Sequence, residues 1–520
     1  MKHARKLASL LLALVMVLSL ATTAFAEGTN TITVKNAVKD QTYKLYKMLD
    51  LIVNDAHTAY SYTVNSAWTN FFKAAEGENL AGKGLTYVNI DAQGYVTWKD
   101  SADVAAFAKD AEEFAKNLSV LQTYKPTADG DFIFNNLEAG YYLVTSTLGT
   151  KATVGTTPSD PNPAIQEKNQ APTNVKTVEE DSKVGVAGQE PWGTTNDADI
   201  GQTVNFKSTI TAQPGAENYV FHDTMSTGLT LDKASIKVNN VAVTDAQGND
   251  VSGDNYTVSY PSGEGSDGCT FEIAFAQEYL NTITNTTTIT ITYSATLNEN
   301  AAIAGTGNIN TSKLSYGDSS NTKYTPARQT TTNTWDFNIF KYTKNAQNQE
   351  VPLSGAKFTL SKNANGSEPI SLIATTEVGN SEHEEDEVEI FTLSDTTMTY
   401  RVAKEGETGV TEFEVGSDGK VIVQGLDAGT YYLTETQAPA GYNKLPSAIK
   451  VTIDSAGNVK KDAGTEALAN KTVKVENQAG TLLPSTGGMG TTIFYVLGSI
   501  LAIGAAVLLV TKKRMNAVDR

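Results

Sequence analysis

Residues suited to nucleophilic or metal chemistry are scarce here: 520 positions hold four histidines and one cysteine. No histidine and cysteine spacing suits zinc, no nucleophile pairs with a histidine in a triad pattern, and no glycine-rich phosphate loop separates a strand from a helix. The sequence implies no cofactor and no bound metal. Glu382-His383-Glu384-Glu385-Asp386-Glu387 reads as a solvated acidic loop, and Cys269 as a half-buried strand residue. The segment that does point to a reaction is Leu483-Pro484-Ser485-Thr486-Gly487. Behind it lie Gly488, Gly490, an apolar run over 491–510 and the basic cluster Lys512-Lys513-Arg514. An apolar run of about 20 residues crosses a bilayer as a helix, and the cluster behind it stays cytoplasmic. Such a tail holds Leu483 to Gly487 just outside the membrane, within reach of a membrane-bound transpeptidase.

The rest of the chain has to present that segment. Lys2, Arg5 and Lys6 precede an apolar stretch, and Ala24-Phe25-Ala26 has the small-x-small form of a leader cleavage site, so 1–26 reads as a secretory signal peptide. The net charge is −18. Removing the leader's three positive charges and the tail's net three leaves −24 for the exported part, which argues against nucleic acid or anionic lipid as a partner. A single cysteine excludes internal disulfides. Alternating runs such as Thr203-Val204-Asn205-Phe206-Lys207 and Thr286-Thr287-Thr288-Ile289-Thr290-Ile291-Thr292-Tyr293 predict antiparallel sheet sandwiches. Val104, Phe107, Ala108, Ala111, Phe114 and Ala115 predict one amphipathic helix within 101–118. Clustered Pro158, Pro161, Pro163 and Pro172 mark one break, because proline lacks the ladder donor, and Thr325-Pro326 opens a second. The predicted domains are 27–165, 172–328 and 333–480, followed by the sorting tail 483–520. A weak repeat links the first and third: Leu426-Asp427-Ala428-Gly429-Thr430-Tyr431-Tyr432-Leu433 echoes Leu137-Glu138-Ala139-Gly140-Tyr141-Tyr142-Leu143, with one residue fewer after the glycine. Aligned on Tyr-Tyr-Leu, Glu435 faces Thr145, so the carboxyl group is present in only one copy.

The C-terminal segment resembles the LPxTG signal of sortase substrates in Gram-positive bacteria, in which the Thr-Gly bond is broken and the threonine carbonyl passes to an amine. Tyr431-x-Leu433-x-Glu435-Thr436-x-Ala438-Pro439-x-Gly441-Tyr442 resembles the E-box of B-type collagen-adhesin domains and sortase-assembled pilins. That domain opens with Phe337-Asn338-Ile339-Phe340-Lys341 and closes with Val473-Lys474-Val475-Glu476-Asn477. The resemblance implies an amide between Lys341 and Asn477, formed beside Glu435. Burial favours a neutral lysine amine and a protonated carboxyl group, the states in which the amine attacks and the acid polarises the carboxamide. The middle domain resembles the isopeptide-forming domain of backbone pilins, implying Lys176, Asp223 and Asn310, with Lys183, His222 and Asn308 as rivals. The family also joins subunits through a lysine between its first and middle domains. Here the junction Asn162-Pro163-Ala164-Ile165-Gln166-Glu167-Lys168-Asn169 keeps the lysine but lacks the tryptophan and the Tyr-Pro pair of the pilin motif. Lys168 is the expected acceptor, in a flexible polar linker, with Lys151 and Lys176 as rivals.

What the resemblance implies as a whole is an all-β chain of three tandem immunoglobulin-like sandwiches. It would serve as the backbone subunit of a covalent cell-surface pilus and not as an enzyme. The implied partners are a class C sortase, a housekeeping sortase, further copies of the chain, minor tip and base pilins, and peptidoglycan. The alternatives are a monomeric wall-anchored adhesin, which needs no acceptor lysine, and a secreted enzyme, which needs a pocket of convergent polar groups.

Overall fold

The computed structural model describes residues 29–54, 59–73, 80–261, 267–318, 322–375, 397–480 and 489–515. The leader, the acidic run 382–387 and the segment Leu483 to Gly487 lie outside the described residues.

Three β-sandwiches succeed one another. In the first, Asn30–Ala37 lies between Ala164–Gln166 and Gly130–Leu137 in a three-stranded sheet. This packs on a seven-stranded sheet that includes Tyr43–Val53, Gly140–Ser146 and Lys151–Thr156. Alternation puts Ile32, Val34, Phe132 and Phe134 on the inner face, against Tyr43, Leu45, Tyr142 and Val144. The helix Val104–Ala115 covers the outer face of the larger sheet through Phe107, Ala108 and Ala111, beside Trp68 and Phe71. Its start is fixed by Asp103, whose carboxylate accepts from Ala105 N at 2.9 Å and Ala106 N at 3.0 Å.

The middle sandwich sets Thr173–Glu179, Thr203–Ala212 and Thr287–Leu297 on one side. Arg328–Asn333, Asn308–Tyr316, Val220–Met225 and Phe271–Phe275 lie on the other. In the third, Trp335–Lys344 sits between Thr472–Glu476 and Lys420–Leu426, and the facing sheet contains Lys357–Ser361, Gly429–Gln437 and Ile449–Ile453. The antiparallel reading is incomplete: Trp335–Lys344 pairs in parallel with Thr472–Glu476, Asn30–Ala37 with Ala164–Gln166, and Thr195–Asp197 with Arg328–Asn333. In the first and third sandwiches this parallel pair joins the opening strand to the closing one. Ala164–Gln166 can follow Pro163 because it is an edge strand, where a missing donor is tolerated.

Two further expectations are corrected. Cys269 lies in the turn before Phe271–Phe275 and is buried, not half-buried in a strand. The repeat between the first and third sandwiches carries no gap. Tyr142 Oη donates to Glu138 O at 2.6 Å and Tyr431 Oη to Asp427 O at 2.8 Å, so these two tyrosines correspond and Ser146, not Thr145, stands where Glu435 does. After the third sandwich, Met489–Met515 forms one helix whose apolar part, Ile493–Met515, is long enough to cross a membrane and ends in Lys512, Lys513 and Arg514.

Candidate functional site

In the third sandwich Lys341 faces inward from the opening strand and is fully shielded from solvent. The neighbouring parallel strand pairs Lys341 with Val475, which sets Asn477 at the same end. Lys341 Nζ donates to Asn477 Oδ1, with Val475 O 3.4 Å away. Glu435 arrives from the opposite sheet, 99% buried. Its Oε1 lies 3.2 Å from Lys341 Nζ and accepts from Asn477 Nδ2 at 2.9 Å, while Oε2 accepts from Leu445 N at 2.7 Å. Amine, carboxamide and acid thus meet in direct contact, shielded from solvent. Burial lowers the Lys341 pKa against the opposing pull of Glu435, favouring the neutral, nucleophilic amine.

The middle sandwich assembles the same groups differently. Lys176 comes alone from one sheet, and Asp223 and Asn310 come together from the other, on adjacent strands that pair Met225 with Asn310. Lys176 Nζ is 2.6 Å from Asp223 Oδ2, and both side chains are completely buried. Burial pushes the lysine pKa down and the aspartate up, so each approaches its neutral form. Asp223 Oδ1 and Asn310 Oδ1 have no hydrogen-bond partner among the described residues, an arrangement that a proton on the acid would relieve.

Sequence reasoning missed Tyr293. Its hydroxyl bonds to both Lys176 Nζ and Asp223 Oδ2 and accepts from Asn310 Nδ2 at 3.4 Å, which makes it the hub of the cluster. Phe206 stacks on its ring at 5.6 Å. The one signal for it was its place on the inward phase of an alternating strand, where tyrosine normally reads as core. The rivals fall elsewhere: Lys183 is exposed in a short turn, His222 faces away from Asp223 toward Ser315, and Asn308 bonds to Ala302 and Thr332.

Among the described residues, the first sandwich has no such cluster. Lys35 is exposed on the opening strand, whose inward residues there are Val34 and Ala37. Ser146, at the place of Glu435, donates at 2.9 Å to Glu167, a buried acid contributed by the closing segment. Glu167 also takes the Thr150 hydroxyl and, at 2.8 Å, Asn169 N, while Asn169 Nδ2 donates to Leu148 O at 3.0 Å. Lys168 between them is exposed. The junction is therefore anchored on both sides of this lysine, contrary to the flexible linker expected. Of its rivals, Lys151 is held by Glu112 at 3.5 Å and by Glu217, and Lys176 is sealed in the core.

Residues 200–320 match a family described as Gram-positive pilin backbone subunit 2, Cna-B-like domain. Residues 338–467 match the SpaA prealbumin-like fold domain, and 475–516 the LPXTG cell wall anchor motif. The chain therefore carries domains that match a Gram-positive pilin backbone family and a cell wall anchor. No curated protein sequence matches it. Among solved structures it is similar to the T6 backbone pilin of Streptococcus pyogenes serotype M6, at 14% identity over 83% of this chain and 81% of that one, with a TM-score of 0.48. It is also similar to the major pilin SpaA of Corynebacterium diphtheriae, at 15% identity over 86% and 99% of the two chains, with a TM-score of 0.45. The anchor motif and apolar helix make the chain a cell-wall-anchored surface protein that is membrane-tethered as a precursor.

Proposed function

We propose that this pilin forms the shaft of a covalent pilus in which the Thr486 carbonyl of one subunit is bonded to Lys168 Nζ of the next. A class C sortase would cleave the Thr486–Gly487 bond and hold the threonine as an acyl enzyme until Lys168 displaces it. A housekeeping sortase would pass the finished polymer to peptidoglycan, with minor pilins at tip and base. The chain's own chemistry is single-turnover. Lys341 Nζ attacks the Asn477 carboxamide carbon, Glu435 shuttles the proton, and ammonia leaves as the amide forms; Lys176, Asp223 and Asn310 do the same in the middle domain. The reading rests above all on the buried meeting of Lys341, Glu435 and Asn477, since charged and polar groups are not gathered in a dry core without a use or a partner. Exposed, flanked Lys168 supports the polymer over a monomeric adhesin, which needs no acceptor.

Immunoblots of wall extracts test this. The parent is expected to give a ladder of SDS-resistant multimers, and Lys168→Ala a folded, exported monomer only. An undiminished ladder in that variant moves the junction to another amine. A parent that is monomeric in the wall favours the adhesin.

A further inference from the structure

On the outer face of the middle sandwich, four donor side chains converge that the pilus chemistry does not use. His222 and Glu272 are paired across neighbouring strands, and Asp267 and Cys269 come from the turn that enters the second of them. His222 Nδ1 lies 2.6 Å from Glu272 Oε1, 2.9 Å from Asp267 Oδ2 and 3.7 Å from Cys269 Sγ. All four ligand atoms fall within 4.8 Å of one another, comparable to the roughly 3.4 Å edges of a tetrahedron of donors around a zinc-sized ion. Behind the ring, His222 Nε2 is 3.1 Å from Ser315 Oγ, whose own hydrogen is directed to Val220 O at 3.4 Å. Ser315 Oγ can therefore accept from Nε2–H, which orients the ring so that Nδ1 faces the three other donors, where a metal ion would replace the proton that Nδ1 shares with the two carboxylates. This is the outer-shell support that orients histidine ligands.

We propose that His222, Asp267, Cys269 and Glu272 bind one late first-row divalent metal ion, zinc foremost. The set of one imidazole nitrogen, one sulfur and two carboxylate oxygens excludes calcium and magnesium, which select oxygen alone. A protonated histidine between two carboxylates would use the same geometry without sulfur. Yet the chain's only cysteine is placed in this cluster, on an exported protein exposed to oxidants. Binding releases to solvent both the thiol proton and the proton that Nδ1 shares with the carboxylates, and leaves the imidazole a neutral ligand. The four residues follow no familiar ligand spacing, and His222 joins Asp267, Cys269 and Glu272 only through strand pairing, so the sequence by itself does not show the site.

Cobalt titration of the reduced full-length protein in detergent is the test. One equivalent of Co2+ is expected to give a thiolate-to-cobalt charge-transfer band, lost on adding Zn2+; with one thiol in the chain, the band reports this site alone. Ser315→Ala should weaken the affinity by about 10- to 100-fold, and His222→Gln and Asp267→Asn by at least as much. Absence of the band in the parent overturns the proposal. So does an affinity unchanged in both His222→Gln and Asp267→Asn, which would mean that the thiol takes up cobalt without the cluster.

Discussion

Glu435 touches both partners of the third-domain contact, so its removal separates the chemistry from the packing. Glu435→Ala should leave the domain folded but without the ammonia loss, more open to trypsin. A side-chain link closing a 136-residue span, if it restricts the unfolded chain as a disulfide does, contributes about 5 kcal/mol. The melting temperature is then expected to fall by about 10 to 20 °C. An unchanged value in a variant whose mass confirms the missing link would deny the bond that role. In the middle domain, Tyr293 bonds to Lys176, Asp223 and Asn310 at once, and Tyr293→Phe removes that relay while keeping the stacked ring. Intact mass should show a mixture of linked and unlinked middle domains. Complete linkage in that variant would remove Tyr293 from the reaction.

At the scale of elements, the joint between the middle and third sandwiches is governed by acids. Trp335 Nε1 donates to Asp197 at 2.7 Å, and Asp427 N donates to Asp199 at 2.7 Å. Burial, with Asp199, Asp181 and Glu180 nearby and only Lys362 opposing, pushes the Asp427 pKa up to about 8. An unfolded aspartate loses its proton near pH 4. Between these values the folded chain binds more protons than the unfolded one, so stability falls as pH rises through the window. Melting curves from pH 5 to 9 should show this decline, and Asp427→Asn should flatten it; equal slopes would place the proton elsewhere. These elements were unevenly legible. The helix Val104–Ala115 and the inward faces of the long strands follow from periodicity, and Lys341, Glu435 and Asn477 from motifs near the ends of their strands. The closing parallel pairs did not show, because no local pattern records which distant strand lies alongside. For the same reason Glu167 was overlooked: its partners Ser146 and Thr150 come from a different hairpin. The gap expected after Gly140, and with it the placing of Thr145 opposite Glu435, arose from matching Tyr-Tyr-Leu by letter, whereas the buried tyrosine that bonds four residues back sets the true phase.

For the molecule as a whole, two sandwiches hold an inward lysine beside a carboxamide and an acid, and among the described residues the first does not. Intact mass of residues 27–486 is thus expected to fall short of the sequence value by two ammonia molecules. A deficit of none would sink the amide chemistry. A deficit of three would mean that the first sandwich links through groups other than Ser146 and Glu167.

The place of Lys168 has a mechanical corollary. Tension carried along a shaft joined at Lys168 and Thr486 enters each subunit after the first sandwich, not before it. With the two proposed amides in place it would then run from Lys168 to Lys176, across the first to Asn310, along the chain to Lys341, across the second to Asn477, and out through Thr486. The strands enclosed by each amide are spared the load, and the first sandwich hangs beside the tensile line as a side branch. On the proposed linkages, the domain for which no cross-link is proposed is the one that shear on the fibre does not pull.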